Sequence, residues 1–375
     1  VESRPIDVEY IRLLHDIHGE DISGHLYRGY TIVTPEKKIR EIEHYPGAKR
    51  PIWFVFSGMG SQWPSMGAAL LRFPVFAAAI KKCDGVLKPR GVDIYDILTN
   101  PSKTTFDNIL NSFVGIAAVQ IGLVDLLNSL GIVPDAIIGH SVGELGCAYA
   151  DGCFTAEQMV LAAYSRGLAS LETDTIKGSM AAVGLGYEDV KDLCPPDIEV
   201  ACHNGPESST ISGPAESMKA FVAQLTANKI FAREVPCSNI AYHSRYIAEA
   251  GPRLLKYLKE VIPDPKPRSP KWFSTSVPRS QWGSPQARLS SAEYHTNNLL
   301  SAVLFEETSA LIPKDAVTIE IAPHGLLQAI LKRSLNPGVT NIALTQRGHK
   351  DNVEVFLQAI GKLYDVGLQP AVWKL

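Results

Sequence analysis

The run Gly139-His140-Ser141-Val142-Gly143-Glu144 sets a serine between glycines two residues to either side. That spacing lets the backbone turn sharply enough to project the Ser141 hydroxyl, which makes it a candidate nucleophile. The Val142 amide, at the start of the segment that follows, points where an oxyanion would form on an attacked carbonyl, and a helix dipole favours negative charge there. The chemistry such a corner could do is acyl transfer. A second donor is available in Ser57-Gly58-Met59-Gly60-Ser61-Gln62-Trp63, where Gly58 and Gly60 allow a close approach to Ser141 and the Gln62 amide could join that of Val142. A phosphate cradle is the competing use of this loop, but it has neither G-K-[ST] nor a full G-x-G-x-x-G before a helix. Two further residues are weaker when weighed singly. His243, in Ala241-Tyr242-His243-Ser244, is one of ten histidines, and Arg166 lies on an amphipathic stretch where arginines usually face solvent.

The elements that must position these groups read as alternating strands and helices. Ile132 to Ile138 is an apolar strand feeding the serine corner, and a helix follows from Leu145 to Tyr149. Pro51 to Phe56 is a wholly apolar run, as in a buried parallel strand whose carboxyl end carries the Ser57–Trp63 loop. Helical spacing of apolar residues marks 73–88, 113–130, which ends at Gly131 as a C-cap does, and 156–170. Between 178 and 236 the order strand, helix, strand, strand, helix, strand predicts a ferredoxin-like insertion, with His203-Asn204 read as a turn holding a satisfied histidine. His243 re-enters the main body after it, ahead of a helix to Val261. Pro263 to Pro270 is a loop, 272–277 a strand, 318–321 the last core strand, 326–335 and 352–363 helices, and 370–375 linker-like. Residues 1–50 carry two apolar pieces and a charged, helix-like segment from Glu36 to His44, and Pro46-Gly47 marks a boundary.

Composition narrows the class. The 375 residues are 45% hydrophobic with a formal net charge of −3 and no basic stripe, so neither nucleic acid nor an anionic membrane is expected as a partner. No apolar run reads as a membrane span of roughly 18 residues, and Val1 to Asp7 shows no secretory signal. A first residue other than Met suits a fragment of a longer chain. Six scattered cysteines without a C-x-x-C pair suit a reducing, cytoplasmic setting with no metal site or disulfide, and Cys147 and Cys153 read as small core hydrophobes.

Taken together, the motifs resemble the malonyl/acetyl transferase domain of animal-type fatty acid synthase and, more broadly, the acyltransferase domains of polyketide synthases. The resemblance rests on 56–63, 139–144 with 149–153, 162–167, Ala201-Cys202-His203-Asn204, 210–214, 241–244, 265–275, Glu293-Tyr294 with Asn297-Asn298-Leu299, and Glu320 to His324. It implies an α/β-hydrolase-like core with a parallel sheet, an inserted ferredoxin-like subdomain and a small α+β N-terminal linker domain. The implied division is 1–50 ketosynthase-to-acyltransferase linker, 51–177 and 238–350 transferase core, 178–237 ferredoxin-like subdomain, and 351–375 a helix with the start of a following linker. It further implies Ser141 as nucleophile, His243 as its base and Arg166 as anchor for a malonyl carboxylate. The Gln62 and Val142 amides would form the oxyanion hole, and Met59, Phe113 and Tyr242 the acyl pocket wall. Implied substrates are malonyl-CoA and acetyl-CoA, with no tightly bound cofactor, and the acceptor is the phosphopantetheine of an acyl carrier protein. The implied parent is a homodimeric synthase with a ketosynthase in the same chain. No Asp or Glu stands out as a third catalytic member, so a dyad oriented by a backbone carbonyl, expected within Ala322 to Gly325, is the reading. By resemblance to polyketide synthase domains, Tyr242 before the histidine and Val142 after the serine imply malonyl over methylmalonyl. A methylmalonyl-selective extender transferase of a polyketide synthase-like protein, a serine thioester hydrolase and an inactive scaffold are the alternatives.

Overall fold

The computed structural model describes residues 5–20 and 22–375. Its strands, in chain order, are β1 (Tyr27–Val33), β2 (Lys38–His44), β3 (Ile52–Phe56), β4 (Ala136–Gly139), β5 (Gly178–Val183), β6 (Glu199–Gly205), β7 (Ser208–Pro214), β8 (Ala232–Val235), β9 (Trp272–Phe273), β10 (Val303–Leu304), β11 (Val317–Ile321) and β12 (Thr340–Ala343). They make three sheets. The main one is entirely parallel, in the order β12-β11-β3-β4-β9. Every residue of β3, β4 and β11 is buried, which is why these strands are continuous apolar runs with no alternation. Helices Pro74–Leu87, Ile109–Ser129 and Ala156–Glu172 pack together and join the sheet in one large core.

The helix Ile109–Ser129 is long and apolar enough to cross a membrane by length and composition, against the expectation that no segment is. Here it is a core helix: 17 of its residues are buried. A helix apolar all round has no face to give to water, and burial inside the protein satisfies that as a membrane would.

The second sheet runs β10-β6-β7-β5-β8, with β5, β6, β7 and β8 in ferredoxin-like order and the helix Ala215–Ala227 beside β5 and β8. It has a small core of its own around Ile211, Met218 and Phe221. The edge strand β10 comes from the returning chain and pairs in parallel with β6. His203 and Asn204 lie inside β6 and not in a turn, because β6 runs on to Gly205 against Ser208.

Three other expectations are corrected. Residues 38–44 form the strand β2 and not a helix: the β1 edge needs a pairing partner, which β2 supplies from Tyr27↔His44 to Val33↔Lys38, and that outweighs the weak helix preference of Glu, Lys and Arg. The segment 272–277 is a strand for only two residues, Trp272–Phe273. The last core strand is β12, added beyond β11 at the sheet edge. The β1–β2 hairpin docks on the C-terminal helix Asn352–Asp365, so the two ends of the chain meet.

Candidate active site

At the end of β4 the chain passes through extended His140 and turns at Ser141, whose φ is +56°. A serine holds this left-handed conformation only where its surroundings impose it. The strand β3 and the loop after it press closely on this corner: a Cβ on Gly143 would stand 2.2 Å from the Phe56 carbonyl oxygen, and one on Gly58 would stand 2.9 Å from the His140 carbonyl oxygen. Both glycines are therefore needed for β3 and its loop to lie against the corner. A 3-10 turn, Ser141–Gly143, leads into the helix Glu144–Ala150, so the Val142 amide belongs to a helical start whose first N–H groups have no intrahelical acceptor.

His243 also has a φ of +56°, and its Nε2 lies 2.6 Å from Ser141 Oγ. Its Nδ1 lies 2.9 Å from the Ser301 carbonyl oxygen, which can only accept; Nδ1 therefore carries the proton and Nε2 is the bare nitrogen facing the serine. The orienting carbonyl is thus Ser301 and not one within Ala322–Gly325. Those residues serve the loop instead, since the Pro323 carbonyl accepts from Trp63 Nε1 at 2.8 Å. Burial, then the nearby Arg166, depresses the His243 pKa to about 3, so the ring is neutral.

Arg166 is buried rather than on a solvated face. Its Nη1 donates to Asn298 Oδ1 at 2.7 Å and its Nη2 to Ser141 Oγ at 3.3 Å, while its buried Nε has no partner among the described residues. Burial lowers its pKa to about 10, which leaves it charged at neutral pH. The guanidinium carbon stands 5.5 Å from the Phe113 ring centroid, and that ring meets Tyr242 edge-on at 5.9 Å. Phe113 and Tyr242 are buried, and Met59 is partly exposed on the loop. Gln62 folds that loop: its Oε1 accepts the Gly60 amide at 2.7 Å. Cavities of about 280 and 320 Å³ lie elsewhere, one between β5 and the helix Gln328–Ser334, the other beside Lys49 and Lys271.

Several residues that sequence reasoning missed hold these groups. Gln120 Nε2 donates to the carbonyls of Ser57 (2.7 Å) and Ile321 (3.1 Å), tying the loop to β11. Glu144 is fully buried and accepts from the Thr275 amide (2.6 Å), Trp272 Nε1 (3.1 Å) and the Tyr294 hydroxyl, which ties the elbow helix to β9 and to the helix Ala292–Leu300. Burial raises its pKa, opposed first by Arg268. A glutamate directly after the second glycine was the available signal, but nothing in sequence says which donors it meets. Asn298 stood within the motif Asn297-Asn298-Leu299 but with no role attached, and Ser301 gave no signal. Cys147 and Cys153 are free, buried thiols raised by burial. Among the described residues, no three His, Cys, Asp or Glu are grouped to hold a metal ion.

The sequence profile of the acyl transferase domain matches residues 53–370. The low-reducing polyketide synthase drtA of Aspergillus calidoustus is 33% identical, over 97% of this chain and 16% of that protein. The highly reducing polyketide synthase srdA of Neurospora crassa is 34% identical, over 84% of this chain and 14% of that one. The chain thus spans only a small part of these relatives. Among solved structures, a loading acyltransferase from the avermectin modular polyketide synthase superposes with a TM-score of 0.73 at 26% identity, covering 84% of this chain and 99% of that one. The acyltransferase domain from the second module of the salinomycin polyketide synthase gives 0.77 at 21% identity, covering 99% and 83%, a likeness of fold.

Proposed function

The chain belongs to the acyl transferase domain family, and from that premise we propose that it moves malonyl groups, and acetyl as primer, from coenzyme A to the phosphopantetheine thiol of an acyl carrier protein, with methylmalonyl as the alternative extender. The observation that carries this reading is Ser141 Oγ at 2.6 Å from His243 Nε2, with a buried arginine 3.3 Å from the same oxygen. His243 Nε2 takes the hydroxyl proton as Oγ attacks the thioester carbon. Negative charge develops on the carbonyl oxygen, for which the Val142 and Gln62 amides are the donors, each worth about 3 kcal/mol by the measure of such sites. Collapse breaks the carbon–sulfur bond, and the proton passes from His243 to the departing thiolate. The carrier thiol then attacks the Ser141 ester, gives its proton to His243, and leaves acylated as the serine is re-protonated.

Arg166 explains the choice of a carboxylated acyl group. Its unspent Nε and loosely engaged Nη2 offer donors to a carboxylate, a planar fork that a lysine does not copy. The two fungal relatives favour a polyketide synthase over an animal-type fatty acid synthase as parent, with ketosynthase and carrier domains as partners. A competition assay with malonyl-, acetyl- and methylmalonyl-CoA, with and without carrier protein, tests the reading. Malonyl should load Ser141 first and leave only when carrier is present. Rapid hydrolysis of malonyl-CoA, indifferent to carrier, would instead make this a hydrolase.

A further inference from the structure

We propose that Asn204 is a positioning residue for the nucleophile, and that the inserted sheet, through its paired strands β6 and β10, sets the Ser141–His243 geometry. His140, the residue before the nucleophile, is held by three hydrogen bonds. Its amide donates to the Phe56 carbonyl at 2.8 Å, its carbonyl accepts the Gly143 amide at 3.0 Å, and its ring Nε2 meets Asn204 Oδ1 at 2.7 Å. The first two come from β3 and from the elbow itself; the third comes from β6. Asn204 Nδ2 donates to Thr210 Oγ1 at 3.0 Å on β7, which fixes the amide so that Oδ1 faces His140 and Nε2 carries the proton.

The base is reached from the same sheet. Ser301, whose carbonyl orients His243, stands two residues before β10, and β10 pairs with β6 at Val303↔Cys202 and Leu304↔His203, immediately before Asn204. The side chain that steadies the neighbour of Ser141 and the carbonyl that orients His243 therefore hang from adjoining strands. His203 adds a tie, with Nδ1 2.5 Å from Glu307 and its ring stacked 3.9 Å from that of Tyr187. Because Ser141 sits at φ +56°, losing one restraint lets the corner relax, and small displacements of reacting groups cost rate steeply.

The inference rests on the serine–histidine reading above, and the experiment separates the two. Asn204→Ala, His140→Ala, the double variant and His140→Gln are compared by the rate at which a fluorophosphonate labels Ser141, by kcat and KM for malonyl-CoA, and by urea midpoint. Asn204→Ala is expected to slow labelling and kcat about tenfold or more with KM held, while the urea midpoint falls modestly because the buried His140 N–H loses its acceptor, the chain staying folded in the absence of urea. The double variant should be no slower than His140→Ala, because Asn204 acts through that ring. His140→Gln, whose amide can still donate to Asn204, should keep most of the rate. Wild-type labelling by Asn204→Ala, losses that multiply in the double variant, or a midpoint so low that unfolded chain without urea accounts for the lost rate would overturn the proposal. An unreactive serine in the wild-type chain would sink the serine–histidine reading and this proposal with it.

Discussion

Arg166 and His243 are coupled, because the guanidinium that would bind a carboxylate also helps suppress the charge on the imidazole proposed as base. Replacing Arg166 by Ala should cut malonyl transfer roughly 10- to 100-fold more than acetyl transfer, the worth of hydrogen bonds to a charged group. Equal losses for both acyl-CoA esters would remove its assigned role. The acid limb of kcat/KM, which reports the free base, should lie well below pH 6.5 and move upward in Arg166→Ala. His243→Ala should lower the transfer rate by about 10²- to 10⁴-fold. Stability follows from the same shift. His243 and His295 are both depressed to about 3 when folded, with burial the first cause and Arg166 the second. The unfolded chain takes up protons near pH 6.5 while the folded chain does not, so stability is lost as pH falls from about 6.5 towards 3. The slope should reach up to about 1.4 kcal/mol per pH unit for each histidine, read from urea midpoints across that range.

At the scale of elements, the elbow works because a seven-residue helix, Glu144–Ala150, is pinned at its first turn by a buried carboxylate. Glu144 faces a backbone amide, an indole N–H and two hydroxyls from β9, the segment after it and the helix Ala292–Leu300. Glu144→Ala would leave these buried donors without an acceptor, and urea denaturation should show a loss of about 3 kcal/mol or more. The carboxylate was visible in the sequence as the residue after Gly143, but its four donors come from positions 128 to 150 residues away and only the fold assembles them.

The whole molecule joins its two ends through the hairpin and the C-terminal helix. Arg28 donates to the carbonyls of Tyr364 (3.1 Å) and Leu368 (3.0 Å), and the Tyr30 ring lies so close to Gly361 that a Cβ there would stand 2.4 Å from it. Gly361→Val should therefore lift the hairpin from the helix. Hydrogen exchange in 27–44 should rise while fluorophosphonate labelling of Ser141 keeps its rate, because the parallel sheet that carries the serine does not include β1 or β2.

Local chemistry made much of this protein legible. The glycine spacing around Ser141, the apolar runs of β3 and β4, and the alternation through 178–235 are short-range patterns that backbone sterics and burial translate directly into a corner, buried strands and an inserted sheet. The polar arrangement was not legible in the same way. That Arg166 is buried, that the Ser301 carbonyl and not one of 322–325 meets the His243 ring, that Asn204 lies in a strand beneath His140, and that 38–44 pairs as a strand all depend on partners far along the chain. A side chain's hydrogen-bond partner is fixed by where the fold carries it, and no local pattern encodes that.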